Sequence, residues 1–449
     1  MSASIVQAVA RIKHSVAEFL SASSIVQACR DVNHTWRERK LGPAETVWAF
    51  LLQVLHGNTA CSHVVRLAQL CCTAEAYCQA RARLPLAALQ GLLEQTTRAA
   101  QRSFREPRWH GHRTFFADGT SFSMPDTDEL RDHFGQPGRQ AQGCGFPQAH
   151  LLAMFDAATG FIVKLLAAPL RTHDMSQVAQ LHPELLPGDV LVTDRGLVSY
   201  VHLALVFGGK LHAVFRAHQR QLVSFRRDRC LRGKQPSGTV ARQASSRLIR
   251  KLGRFDQIVE YCKPAQCPKW MDAVTYAALP ETIRVRELRY WTKIPGFRTR
   301  VITLVTTLLD AEQYPVDELA GLYHRRWEIE TNFAHLKTTM RMDVLRCQSV
   351  SGVLKELTMF ALVYNLARLV MVAGAREQDL PVQRLSFVDA LRWLAEACDH
   401  EPIRAVRVNS ARPNRLEPRV RKRRPKKFPL LNVPRCQLRQ KLLAKGVAA

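Results

Sequence analysis

The chain has 449 residues, 47% apolar and 23% charged, which excludes a mainly disordered or collagen-like polypeptide. At roughly 100–200 residues per domain, this length corresponds to about two to four domains. Sixty-five Lys and Arg against 38 Asp and Glu leave a net charge of +27, more than an enzyme of small metabolites needs. Such a surplus favours polyanionic partners, with nucleic acid first and ribosomal RNA or anionic membrane surfaces as alternatives.

Arg11, Lys13 and His14 interrupt the N-terminus before a signal-peptide core can form. Residues 1–105 read as helical by apolar spacing, for instance over Ala44–Leu55 and Leu86–Leu93. On a basic protein this module suits DNA binding, and it suits packing or dimerisation equally well. Arg113–Ala117 is a predicted strand running into Asp118-Gly119. Gly and Pro crowd Phe134–Pro147, which marks a loop. His150–Phe155 and Phe161–Ala168 read as two strands joined through Asp156–Gly160. A helix is expected from Asp174, as its N-cap, to about Leu186, with Pro187-Gly188 ending it. Val190–Thr193 is a strand into Asp194, Leu197–Phe207 a helix, and Leu211–Phe215 a strand. Helices interleaved with strands predict a mixed α/β sheet.

From about His218 to Thr299 the helical signal fades, and Gln257–Tyr261, Thr282–Trp291 and Arg300–Leu308 read as strands of a β-rich insertion. Trp291 within it could stack on a base, but a core Trp is the expectation. Tyr314-Pro315 opens a long helix, and helical pattern continues to about Cys398. Leu357–Ala375 is the most apolar stretch, and Asn365 and Arg368 inside it predict a buried helix rather than a membrane span. In the tail, nine of the sixteen residues Arg412–Lys427 are Lys or Arg, which predicts a solvated segment able to lie along a phosphate backbone. The twelve cysteines are irregularly spaced and expected to be reduced thiols, and no His follows Cys262-x4-Cys267 at finger distance. A soluble cytoplasmic protein with no membrane partner is expected.

Asp118 and Asp194 both follow predicted strands. Carboxylates there can point into the crevice beyond the strand ends and hold divalent cations through oxygen. Each also has a Gly within two residues, so each could simply stabilise a turn. Relative to Tyr323, the residues Arg326, Glu330 and Lys337 lie three, seven and fourteen positions on. In an unbroken helix these fall at about −60°, −20° and −40°, one narrow stripe. A solvated face with an ordinary i,i+4 ion pair would look the same. Together, two strand-end Asp and a helix Glu flanked by cations suit phosphodiester chemistry. His173-Asp174 could be catalytic, but a cap explains Asp174 more simply. His324 and His335 point away from the stripe and are expected to face solvent or DNA.

Tyr323-x2-Arg326-x3-Glu330-x6-Lys337 resembles the signature of the family-four insertion-sequence transposases, and Asp118-Gly119-Thr120 and Asp194-Arg195-Gly196 resemble its first two acidic motifs. Tyr364-Asn365-Leu366 is also similar to a family helix, so the resemblance spans roughly Arg113 to Val372. It implies an α/β fold: a ribonuclease-H-like catalytic core with a β-rich insertion, flanked by a helical N-terminal domain and a helical C-terminal region with a basic tail. The corresponding segments are 1–105, 106–217 and 310–375 for the two core parts, 218–309 for the insertion, and 376–449. The implied activity is cutting double-stranded DNA at terminal inverted repeats and joining the 3′ ends to target DNA, through a hairpin in some members. The implied ligands of two Mg²⁺ (or Mn²⁺) ions are Asp118, Asp194 and Glu330, the implied phosphate contacts Tyr323, Arg326 and Lys337, and the implied assembly a homodimer. The rival readings are a metal-dependent nuclease of the same fold that never joins strands, and a decayed or domesticated DNA-binding protein.

Overall fold

The computed structural model describes residues 20–445 apart from 38–39, 104–107, 139–140, 142, 227–229, 236–237, 244–245, 293–300, 397–402 and 411–430. The basic tail Arg412–Lys427, Cys398 and the N-terminal Arg11, Lys13 and His14 therefore lie outside the described residues.

The chain opens with helices α1 (Ala22–Asp31), α2 (Pro43–Leu55), α3 (Cys61–Leu67), α4 (Ala74–Arg83) and α5 (Leu86–Ser103). Local chemistry sets their starts. Ser21 accepts from Ser24 N and Thr73 from Ala76 N, while Pro43 at the first turn of α2 is joined by Glu45, which accepts from Gly42 N at 3.1 Å. Then follow β1 (Thr114–Ser123), α6 (Asp128–Phe134), β2 (Gln148–Asp156), β3 (Ile162–Pro169), β4 (Val190–Thr193), α7 (Tyr200–Gly208) and β5 (His212–Arg216). The β2–β3 turn forms as its sequence suggests. Asp156 Oδ1 accepts from Ala158 N and Thr159 N, and Gly160 adopts φ +74°.

Next come β6 (Cys230–Gln235), β7 (Gly238–Gln243), β8 (Arg247–Gly253), β9 (Asp256–Cys262), α8 (Ala273–Ala278), β10 (Thr282–Trp291) and β11 (Val301–Thr306). The chain continues through α9 (Val316–Arg325), α10 (Glu328–Ala334), α11 (Val350–Glu377), α12 (Phe387–Glu396) and α13 (Arg435–Ala444).

Among the described residues the main sheet has nine strands in the order β3-β2-β1-β4-β5-β11-β10-β9-β8. β1 pairs antiparallel with β2 and parallel with β4, and β4 pairs parallel with β5. The β-like stretch after His218 thus does not stand apart. β11 joins β5 antiparallel, and β10, β9 and β8 extend the same sheet, while β6 and β7 form a separate pair.

Side chains alternate across β1, β4 and β5. Phe116, Val190, Val192 and Val214 face a core built on α11, and Phe115, Ala117, Leu191, Ala213 and Phe215 face a second core that includes α7. The first core also takes in Leu20, Trp48 and Leu92 of the N-terminal helices and Trp393 of α12. α11 is long and apolar enough to cross a membrane, yet 94% of its most apolar window is buried in the protein. Its polar residues have work in the core. Asn365 accepts from Ile162 N at 2.8 Å and donates to Ile162 O and Thr97 Oγ1 at 2.9 Å, and Arg368 donates to Thr159 O.

Two expected helices differ. Asp174–Ser176 and Val178–Glu184 are 3-10 turns, and Pro183, which cannot donate a helical N–H, lies inside the second. The long helix from Pro315 is split into α9, α10 and a π-turn over His335–Thr339.

Candidate active site

In the parallel register of β1 and β4, Ala117 lies opposite Thr193. The next residue on each strand is an acid, so Asp118 and Asp194 stand side by side. Counting the alternation from Phe116 and Val192 places both on the sheet face that α9 and α10 cover.

The helical signature residues reach this pair from α9 and its C-terminal turn. Arg326 Nη1 donates to Asp118 Oδ2 at 2.9 Å, and Tyr323 Oη donates to Asp194 Oδ1 at 2.9 Å. Tyr323 and Arg326 are each only 5% exposed, so both bonds are made with little competing water. Arg216, from the end of β5, lies 3.5 Å from Asp194 Oδ1. Lys337 donates to Ser121 O at 2.6 Å and to Thr120 Oγ1 at 3.2 Å, which ties the π-turn to β1 beyond Asp118.

The structure does not keep all four signature residues on one stripe. Between α9 and α10 the bonds are i→i+3: Trp327 N to His324 O, Ile329 N to Arg326 O, and Glu330 N to Trp327 O. Each such residue turns about 20° further than in an α-helix. Ile329, Asn332 and Phe333 become the buried face of α10, and Glu330 lies on its exposed side. The π-turn, closed by Met340 N to His335 O at 2.9 Å, then winds less per residue and brings Lys337 back to β1.

Burial pushes the Asp118 carboxyl up, Arg326 and the Gly119 amide oppose this, and the charges of Asp194 and Asp174 add to it. At Asp194 burial acts in the same upward direction but is outweighed by the Arg195 amide, Arg326, Tyr323 and Arg216, so the group is held below the ordinary carboxylate range. Burial also drives the Tyr323 phenol up to about 12, which keeps it a donor at neutral pH.

This donor set fits a divalent cation. Both carboxylates are hard oxygen ligands that keep an open side, 31% and 29% exposed. Among the described residues, no three His, Cys, Asp or Glu side chains are gathered closely enough to hold a metal ion. Glu330 is therefore not drawn in with the Asp pair.

Sequence reasoning missed His150 and Arg216, and misassigned Asp174. The cap at that turn is His173, whose Nδ1 accepts from Met175 N, and Asp174 instead pairs with His150 Nε2. A Cβ on Gly119 would meet His150 Cε1 at 2.8 Å and the Asp174 oxygens at 3.0 Å, so the pair sits directly against the residue after Asp118. The adjacency of His173 and Asp174 was the only signal, because pairing with β2 is not visible in a linear reading. His335 is not solvated: its ring stacks on Phe387 at 4.2 Å, and burial drives its pKa down to about 4. His324 packs edge-on against Tyr290. Trp291, expected in the core, is 49% exposed and lies against Phe255.

Comparison with known proteins identifies the family. The family model "Transposase DDE domain" matches residues 109–366. "Transposase InsG for insertion sequence element IS4" of Escherichia coli K12 is 24% identical over 422 residues, covering 88% of each chain. "Putative transposase InsZ" of the same organism is 28% identical over 149 residues, 30% of this chain and 48% of that one. A piggyBac transposase synaptic complex with hairpin DNA aligns over 87% of this chain and 79% of that one, at TM-score 0.45 and 8% identity. The matched segment is more than half of the chain and contains both aspartates and the whole Tyr-Arg-Glu-Lys helix region, and the chain belongs to the DDE transposases of the IS4 type, enzymes of transposition.

Proposed function

We propose that this transposase cuts double-stranded DNA at the terminal inverted repeats of an insertion sequence and joins the freed 3′ ends to target DNA. The observation that carries this is the side-by-side placement of Asp118 and Asp194, bridged by Arg326 and Tyr323. The β3-β2-β1-β4-β5 half of the sheet would be the ribonuclease-H-like core, and strands β8 to β11 the insertion. Residues 1–105 are assigned to DNA binding, with 106–217 and 310–375 as core and 376–449 as a C-terminal region whose basic tail lies on DNA.

Asp118 and Asp194, joined by Glu330 when DNA docks on α10, would hold two Mg²⁺ or Mn²⁺ ions. When bound, these supply Lewis acidity to the attacking and leaving oxygens of a phosphodiester. The chain's own groups do the rest. Arg326 and Tyr323 fix the carboxylate rotamers in the resting enzyme. With DNA present, Arg326 can grip a phosphate bidentately, Lys337 serves as a point charge, and Tyr323 donates a hydrogen bond. Hydrolysis exposes a 3′-hydroxyl, which then displaces a target phosphodiester oxygen with the same groups in place. A homodimer would hold two ends together, and a hairpin intermediate is one route between the steps.

The test mixes the full chain with a labelled duplex carrying the element's flanking repeat, with and without Mg²⁺. Metal-dependent cuts at the repeat end and products joined to a second duplex are expected. Asp118→Ala and Glu330→Gln should lose cleavage by at least a hundredfold while keeping end binding. Cutting without joined products would make the protein a nuclease of the same fold, and binding without cutting a DNA-binding protein alone.

A further inference from the structure

A buried acid stands where the N-terminal helices meet the loop after the π-turn. Glu356 of α11 is fully buried. Its carboxylate accepts from the main-chain amides of Arg346, at 3.0 and 3.1 Å, and Cys347, at 2.9 Å, and from the side-chain amide of Asn58. Asn58 is 2% exposed and lies in the turn between α2 and α3, at φ +55°, a backbone angle that Asn tolerates. A second tie runs beside the first: Arg81 of α4 donates to Cys347 Sγ at 3.0 Å and to Gln53 Oε1 of α2 at 2.6 Å. A carboxylate this deep is costly without its partners, and a satisfied polar network of this kind stiffens the backbone it holds.

The loop held in this way also holds Lys337. Met342 N bonds Leu336 O at 3.1 Å, and Asp343 N bonds Lys337 O at 3.3 Å. Ser123 of β1 grips the loop twice, donating to Asp343 O at 2.9 Å and accepting from Leu345 N at 3.0 Å. Lys337 itself donates to Ser121 O and Thr120 Oγ1. Thr120 is two residues beyond Asp118 on β1 and therefore on the same face of the sheet. A continuous path of hydrogen bonds and chain thus leads from the α2–α3 turn to the signature lysine.

We propose that Asn58 and Glu356 are positioning residues for Lys337. Acting through residues 342–347, they set where the Lys337 ammonium stands over β1 and lock that position to the N-terminal helices. Both are buried and act without contacting DNA. This rests on Lys337 being a phosphate contact of the cleaved end.

The test uses the full-length chain and the labelled repeat duplex in Mg²⁺, with the cleavage rate read at saturating protein. Asn58→Gly removes the amide and accepts the positive φ. Its rate should fall about tenfold, since a small misplacement of a contact is enough to cost that much. In a Lys337→Ala background the same change should lower the rate by less than about twofold, because both substitutions then remove one and the same contact. A merely structural loss would multiply through equally in both backgrounds. That result overturns the proposal, as does a wild-type rate in Asn58→Gly. Should Asn58→Gly not fold, Glu356→Gln, which keeps the shape and one acceptor oxygen, goes through the same cycle and is held to the same two results. Lys337→Ala alone separates the two readings. A wild-type rate in it rejects the phosphate contact beneath the proposal, whereas a loss in it that is not coupled to Asn58 rejects only the positioning residues.

Discussion

Arg326 stands between two needs. Its guanidinium is buried and faces Asp118, and its charge also reaches Asp194. It offsets the mutual repulsion that a cation or a phosphate-bound metal would otherwise relieve. Arg326→Ala should therefore reduce cleavage by at least a hundredfold and make the folded chain more responsive to divalent ions, with a larger rise in unfolding temperature on adding Mn²⁺ than in the wild type. Arg326→Lys should not recover cleavage, since an ammonium cannot reproduce the planar fork. A wild-type cleavage rate in the lysine variant, measured on the repeat duplex, would reduce Arg326 to a simple counter-charge. At this scale residue type and spacing made one neighbourhood legible: the two strand-end acids stand side by side, and Tyr323 and Arg326 hydrogen-bond to them. Glu330 leaves the stripe because angular arithmetic assumes an unbroken α-helix, and the run of i→i+3 bonds from Arg326 to Glu330 changes its direction. The contact of His150 with Asp174 was not legible, because it joins a strand to a turn 24 residues on.

Strands of alternating or continuous apolar residues bounded by turn chemistry were legible at the level of elements; Val190–Thr193 has the bounds its sequence suggests. The 3-10 turns after His173 were not, because their apolar spacing resembles that of an α-helix and Pro183 alone signals the difference. Below the second of them, α7 carries His202, whose Nδ1 donates to Leu197 O at 2.6 Å and whose Nε2 lies 3.2 Å from His182 Nε2. This holds the turn that follows Asp194. Burial drives the pKa of His202 down to about 3 and that of His182 to about 4, from an ordinary 6.5. Both are thus neutral in the folded protein. Their contribution is fully present above about pH 6.5 and is lost as the pH falls from there towards 4 and 3, because only the unfolded chain takes up the protons readily. The slope is about 1.4 kcal/mol per pH unit for each histidine in that window. Urea unfolding at pH 7 and pH 5 should show the loss, and His202→Gln should flatten it. Equal stability at both pH values would mean that the pair is solvated.

For the whole molecule, the N-terminal helices are not an appended module. Asn365 of α11 bonds Thr97 of α5, Lys355 donates to Ala82 O at 2.7 Å, and one continuous core runs from Leu20 through Phe116 to Val406. Composition shifts along the chain suggest a boundary near residue 105, but apolar side chains pair regardless of sequence distance, and linear reading cannot see that. The strands after His218 show the same limit, since β11 completes the edge at β5. Thermal unfolding followed by far-ultraviolet and tryptophan signals should therefore give coincident transitions for residues 20–410. An early, separate loss of helix would show that the N-terminal part unfolds alone.

The parallel pairing of β1 with β4 has a consequence for how such an enzyme can change over evolutionary time. Adjacent strands lie about 4.8 Å apart because peptide hydrogen bonds fix that spacing. The pitch between Asp118 and Asp194 is thus inherited from the backbone, and substitutions elsewhere leave it untouched so long as the two strands stay paired. Glu330 is mounted differently, on a short helical segment between two irregular turns, where one inserted or deleted residue would swing it. In the proposed active site the first two acids would act as a fixed gauge and the third as an adjustable arm. Lineages sharing the gauge would be free to retune the arm, and with it the step at which that site becomes complete.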